Sequence, residues 1–359
     1  MLPDVETSDE KLVVRLDEED SDFTSPVKVV LVNEKQMGIA ETYAEEGELR
    51  LYRKDGFYTV IPWSAGLMML CGSETINGMY NLNTTANANY MFRDQNDLTL
   101  PDGVTFANVT GWAYTFYNCK RLSLPTTITL RGNCNSTFRS CTMTSQHRIY
   151  WEDATTLPCT FGYSDLITHI GGTDIVANCP NVTDLRQTFE GMAGLKSIKI
   201  YAPKCVYING VVCHMPDIEE IYLDCPAATN ISIQGDIGGG RFGVCGRSPK
   251  LRKVTMICPK LTDWFYACQL VGLYGKATEF RGDMSAASSC IGMFDKWSLD
   301  AASVKHISET IKGWTSGSHP ITLGIQKSLQ NDPDVLADID AISAKGWTVT
   351  VQYNALSLS

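Results

Sequence analysis

The sequence predicts an α/β repeat fold: a short solenoid with a small β-rich head before it and an α/β capping unit after it. Three observations carry this. A phrase built on Phe, Cys and Leu keeps returning, as in "TFYNCKRLSL" and "STFRSCTM". Short alternating apolar runs closed by Pro recur, as in "LKSIKIYAP", "IEEIYLDCP" and "LRKVTMICP". The two ends differ from this middle, strand-like before residue 85 and helix, strand, helix, strand after residue 298. Periods of about twenty to fifty residues mark stacked units, because one such unit cannot bury its apolar face alone.

The head, residues 1–85, opens on "MLPDVETSDEKLVVRLDEEDSD", with a charge run at Asp17, Glu18, Glu19, Asp20 and Asp22. That stretch has neither the basic nor the apolar region of a secretory signal, so the sequence predicts assembly without export. "KLVVRL", "VKVVLV" and "ELRLYRKDGFYTVIP" alternate as strands do, and the last two runs are expected to make a hairpin around Asp55-Gly56. The boundary falls in "NLNTTANAN", where polar turn formers accumulate.

In the repeat region, residues 86–297, the aromatic position is held by Phe92, Phe116, Phe138, Phe161, Phe189 and Phe265. Phe242 joins them, and Cys213 is expected to replace Phe in "NGVVCHMPDIEE". Cys119, Cys141, Cys245 and Cys268 each follow such a Phe by three residues. A cysteine at a fixed repeat phase reads as a small buried hydrophobe. The chain has 13 cysteines and no C-x-x-C spacing, which argues against a disulfide framework or a zinc cluster and for reduced thiols. Within the strands, period 2 turns Ile198, Ile200, Ile221, Leu223, Val254 and Met256 inward. Lys199, Tyr201, Tyr222, Asp224 and Thr255 then stand in adjacent columns outside. They are the candidate binding residues, since aromatics beside polar groups suit a carbohydrate or protein ligand.

The capping unit, residues 298–359, contains "SLDAASVKHISETIKGW", with Ser298 as the expected N-cap, Leu299, Val304, Ile307 and Ile311 inward and Gly313 as the stop. After the strand "ITLG", Asp332 should cap a second helix that starts at Pro333, turns Leu336, Ile339 and Ile342 inward and ends at Gly346 before a final strand.

Charge and motifs narrow the chemistry. A net charge of -10 and a pI near 5.0 oppose a phosphate-tracking groove, so nucleic acid is not an expected partner. No stretch approaches the length of a membrane span. His147, His169, His214, His306 and His319 are scattered with no metal-binding interval. Adjacent Cys213 and His214 should point to opposite faces of an extended segment. "DIGGGRFG", residues 236–243, lacks the ending of a phosphate loop and reads as an inserted loop. The carboxylates of "NDPDVLADID" fit a solvated helix face better than a calcium loop. The sequence therefore predicts no catalytic residues, no cofactor and no metal.

The phrase "TFYNCKRLSLP" and its copies, from about Ala86 to Phe294, resemble the BspA-like leucine-rich repeats of bacterial surface proteins and of phages of gut Bacteroidales. The resemblance implies a leucine-rich-repeat-like solenoid that binds rather than catalyses. It further implies a bacteriophage virion component, in a tail, fibre or capsid, assembled in the host cytoplasm. The head would attach to other virion subunits within an oligomeric assembly, and the repeats would face a host surface glycan or protein. The alternatives are a bacterial cell-surface adhesin and a glycan-cleaving enzyme that uses carboxylates on the repeat face.

Overall fold

The structure is a computed structural model that describes residues 106–355 except 125, 230, 232–242, 265–266 and 269–276. It also describes residues 88, 89, 92 and 93 and the backbone of nine strands between Val5 and Thr99. The protein is mixed α/β. Beyond the head its sheets pair in parallel, and no closed barrel forms among the described residues. The chain divides into two compact units, Met1–Trp151 and Glu152–Ser359.

In the first unit, β1 (Val5–Ser8), β2 (Lys11–Arg15), β3 (Val30–Asn33), β4 (Met37–Tyr43), β5 (Glu48–Tyr52) and β6 (Tyr58–Val60) form an antiparallel sheet of order β1-β2-β5-β4-β3-β6. The hairpin expected around Asp55-Gly56 does not form. β5 pairs with β2 and β4, whereas β6 crosses to the far edge and pairs with β3. The apolar alternation of the two runs is compatible with either partner, and the intervening β4, which carries glycine and charge, gave no strand signal. β7 (Thr75–Ile76) and β8 (Met79–Tyr80) make a small antiparallel pair.

The repeats begin with β9 (Asp97–Thr99), paired in parallel with β10 (Arg121–Ser123). β11 (Ile128–Asn133) and β12 (Ile149–Thr156) follow. Before these strands the backbone turns tightly, and each turn is tied to its successor by a ladder of amides. Phe92 N–H donates to Thr115 O at 2.9 Å and Phe116 N–H to Thr137 O at 2.9 Å. Phe92, Phe116 and Phe138 are therefore superposed, their rings stacked at 5.5 Å and 5.2 Å and fully buried. The threonines before Phe116 and Phe138 form a second ladder. Thr115 Oγ1 lies 2.9 Å from the carbonyl of Ala88, and Thr137 Oγ1 2.9 Å from that of Trp112, so a buried hydroxyl satisfies a carbonyl of the preceding repeat. The thiols of Cys119 and Cys141 do the same for the carbonyls of Phe92 and Phe116.

In the second unit, after the single-turn α1 (Ile167–Ile170), comes a parallel sheet in sequential order: β13 (Asp174–Asn178), β14 (Ser197–Tyr201), β15 (Glu220–Asp224), β16 (Lys253–Ile257) and β17 (Glu279–Gly282). Register aligns Ile175, Ile198, Ile221, Val254 and Phe280 in one buried column and Ala177, Ile200, Leu223 and Met256 in the next. At Gly282 an added Cβ would sit 2.4 Å from the Phe280 ring, so that ring fills the place a side chain would take.

The Phe ladder continues from Phe161 to Phe189, with rings 5.7 Å apart, and then changes. Phe189 N–H donates to Val211 O, Val212 N–H to Val244 O and Cys245 N–H to Ala267 O. The aromatic place thus passes to Val212, Cys245 and Cys268, the two thiol sulfurs lying 3.0 Å apart. Val212, not Cys213, replaces Phe. Cys245 and Cys268 occupy the Phe place itself, not the position three residues on. Trp112 and Trp264 fix the phase: each stands four residues before this place and donates its indole N–H to the carbonyl three residues back at 3.1 Å. Phe242 and Phe265 lie outside the described residues.

β18 (Cys290–Leu299), α2 (Ala301–Thr310), β19 (His319–Gln326), α3 (Pro333–Ala344) and β20 (Trp347–Asn354) complete the chain, with a parallel sheet β18-β19-β20. α2 is capped by Asp300, whose carboxylate accepts from Ser303 N–H at 2.7 Å. Ser298 is instead buried in β18. α3 is capped by Asp332 with Pro333 in its first turn, as expected, but Val335 is the inward residue and Leu336 is 42% exposed. One step along a helix turns a side chain by about 100°, and Val335 shares its face with Ile339 and Ile342.

Candidate functional site

Two arrangements in the second unit could act on a ligand. The first is the outer face of the β13–β17 sheet. Ile198, Ile200, Ile221, Leu223, Val254 and Met256 are buried, and the residues between them face out. Parallel register sets Lys199, Tyr222 and Thr255 side by side, with Tyr201 beside Asp224 in the next column. Lys199 is exposed, Tyr201 is 37% exposed, and Tyr222, Asp224 and Thr255 are half-buried. The Tyr201 and Tyr222 rings lie 5.6 Å apart, tilted by 47°. Burial and the nearby Asp224 carboxylate raise the Tyr222 phenol above its ordinary value, so it remains a neutral donor. A shallow depression is lined by Ser197, Lys199, Glu220, Tyr222, Lys253 and Thr255, with acid, base and aromatic in reach of one ligand.

The second arrangement lies in the turns and was not foreseen. Position by position, the amide ladder puts Gly162, Glu190, Cys213 and Gly246 in one column and Tyr163, Gly191, His214 and Arg247 in the next. Residues of this second column take left-handed backbone: φ is +54° at Tyr163, +68° at Gly191, +57° at His214 and +59° at Arg247. For side chains with a Cβ that conformation costs on the order of 1 kcal/mol or more. At Gly191 a Cβ would lie 2.4 Å from the Tyr163 ring. The glycine therefore lets Tyr163 reach across, and its hydroxyl donates to Glu190 Oε1 at 2.9 Å.

Glu190 is a buried carboxylate, its side chain 4% exposed. Gln187 Nε2 donates to its Oε2 at 3.0 Å, and His214 Nδ1 lies 3.3 Å from its Oε1. Arg247 Nη1 is 3.4 Å from His214 Nε2. One donor atom each from Glu190, Cys213 and His214 lies within 4.8 Å of the others. Cys213 and His214 thus do not diverge. The left-handed turn at His214 brings its ring back beside the thiol, which an extended segment would not allow. No signal for this meeting was present in the sequence, since Glu190 and His214 come from successive repeats and the second has Val211-Val212 where the first has Thr188-Phe189.

The remaining candidates are structural. His306 Nε2 accepts from Gly282 N–H at 2.9 Å, His319 stacks on Trp314 at 4.2 Å, and Asp338 accepts from the Ser308 hydroxyl at 2.7 Å. The glycine-rich stretch lies outside the described residues apart from Gly243. The described cysteines form no disulfide, and all are buried except half-buried Cys159. Burial pushes the Cys205 thiol up to about 12 and holds Cys134, Cys141 and Cys290 above the ordinary thiol range. Protonated thiols of this kind are poor nucleophiles.

No helix among the described residues is long and apolar enough to cross a membrane. Compared with protein-family models, curated proteins and solved structures, the chain matches none.

Proposed function

We propose that the chain is a non-enzymatic binding protein, a leucine-rich-repeat-like solenoid that presents the outer face of its parallel sheet to a surface glycan or protein. The observation that carries this is the pairing of Tyr201 and Tyr222 beside Lys199 and Asp224 on the outward sheet face. Adjacent rings offer apolar surface, the charged neighbours orient a polar ligand, and a rigid ladder loses little entropy on binding. What supports a bacteriophage virion as the setting is the resemblance of the repeats to those of gut phages. A bacterial surface adhesin would use the same face in the same way.

The experiment is a Tyr201→Ser, Tyr222→Ser double variant assayed for attachment to host cells or to isolated surface glycan. Attachment should fall at least about tenfold while stability stays within about 2 kcal/mol of the parent. Undiminished attachment by the folded double variant rejects the face as the binding surface.

A further inference from the structure

We propose that Glu190, Cys213 and His214 form a binding site for a borderline-soft divalent cation of the zinc class. Three different donors from two adjacent repeats converge there: a carboxylate oxygen, a thiol sulfur and an imidazole nitrogen, all within 4.8 Å of one another. A tetrahedral ion with zinc-like bond lengths holds such atoms about 3.3–3.6 Å apart, and His214 Nδ1 and Glu190 Oε1 are already 3.3 Å apart. Sulfur and imidazole together select zinc-like metals over magnesium or calcium, which take oxygen donors.

The surroundings act as a supporting shell. Tyr163 and Gln187 donate to the two oxygens of Glu190 and fix the plane of the carboxylate. Gly191 keeps the space that the Tyr163 ring occupies. Cys213 is wholly buried and so is badly placed to attack a substrate, while the His214 side chain is 22% exposed and marks the way in for an ion. Binding releases the Cys213 thiol proton to solvent and leaves the imidazole proton on Nε2. Arg247, an exposed side chain 3.4 Å from that nitrogen, must then turn aside, so it opposes the metal.

Cobalt(II) is the probe, titrated into the chelator-treated full chain. The expected result is one equivalent bound, with a thiolate-to-cobalt absorption in the near ultraviolet and the visible bands of a four-coordinate ion. Cys213→Ser should abolish the near-ultraviolet band, and His214→Ala should weaken binding at least about tenfold. Arg247→Ala, at an exposed position, should tighten binding or leave it unchanged. Absence of the band in the parent chain overturns the proposal, as does its survival in folded Cys213→Ser, which would assign it to another thiol. Should Cys213→Ser fail to fold, unchanged cobalt affinity in part-exposed His214→Ala overturns it equally.

Discussion

The turns of the first unit are filled by rings, and those of the second cease to be. Phe92, Phe116 and Phe138 stack face on face, with Phe106 edge-on to Phe92 and Phe116. In the second unit, after Phe161 and Phe189, the same place holds Val212, Cys245 and Cys268, while the amide ladder that ties turn to turn continues. Rings cluster instead near the end of the sheet: Phe280 meets Trp264 at 6.1 Å and Phe294 at 4.8 Å, and Phe294 meets Trp297 at 5.6 Å. What the repeat preserves is thus backbone pairing and burial, not the identity of the residue at the aromatic place.

The strongest test of that contrast is truncation in the two columns. Phe116→Ala should lose about 3–5 kcal/mol in denaturant unfolding, because a ring sandwiched between two others leaves a cavity that rigid neighbours cannot close. Val212→Ala, at the equivalent place, should lose about 2 kcal/mol. Equal losses would mean that the rings are not what holds the first column together.

Next in size is the threonine ladder. Thr188 Oγ1 lies 2.8 Å from the carbonyls of both Leu157 and Leu185 and is fully buried. Thr188→Val keeps the shape but removes the donor, and should cost about 1–3 kcal/mol. Its effect should match that of Thr137→Val in the first unit, since both bridge successive repeats; a difference above about 2 kcal/mol would break the equivalence of the ladders.

Gly191→Ala probes a feature confined to the second unit. The added methyl meets the Tyr163 ring, and φ of +68° disfavours a Cβ, so a loss of about 1–2 kcal/mol is expected, with Tyr163 displaced from Glu190. Crystallography or tyrosine fluorescence of the variant reads the displacement.

The smallest effect concerns the ion pairs edging the second unit's sheet. The Lys250 ammonium, 2.6 Å away, and the Gly194 amide hold the Asp217 carboxyl below its ordinary value. A lowered folded-state value means that this contribution is fully present above about pH 4 and is lost as pH falls through the lowered value. Because the pair is solvent-facing, Asp217→Asn should cost under about 1 kcal/mol at neutral pH and reduce the acid sensitivity of unfolding.

Alternation, caps and composition are local properties, and they made much of this molecule legible. Period 2 in "SIKIY", "EIYLD" and "KVTMI" named every inward residue of β14, β15 and β16, because a strand's side chains alternate whatever its partner. The Asp332-Pro333 start of α3 was legible for the same reason, since capping is satisfied within one turn of chain. The cap of α2 was misread by two residues because Ser298 and Asp300 can both accept, and the choice fell to the strand that continues through Leu299.

Register between repeats belonged to the tertiary structure alone. The repeats differ in length, so counting from one Phe to the next drifts, and Phe242 with Cys245 looked like another Phe-Cys pair until the amides of Val212 and Cys245 fixed the phase. The choice of β3 rather than β5 as partner for β6 was likewise decided between strands that read alike in isolation. The meeting of Glu190, Cys213 and His214 needed both a register across two repeats and a left-handed turn at His214. Local alternation follows from the geometry of one strand, whereas columns follow from hydrogen bonds between segments more than twenty residues apart, whose partners only the folded chain selects.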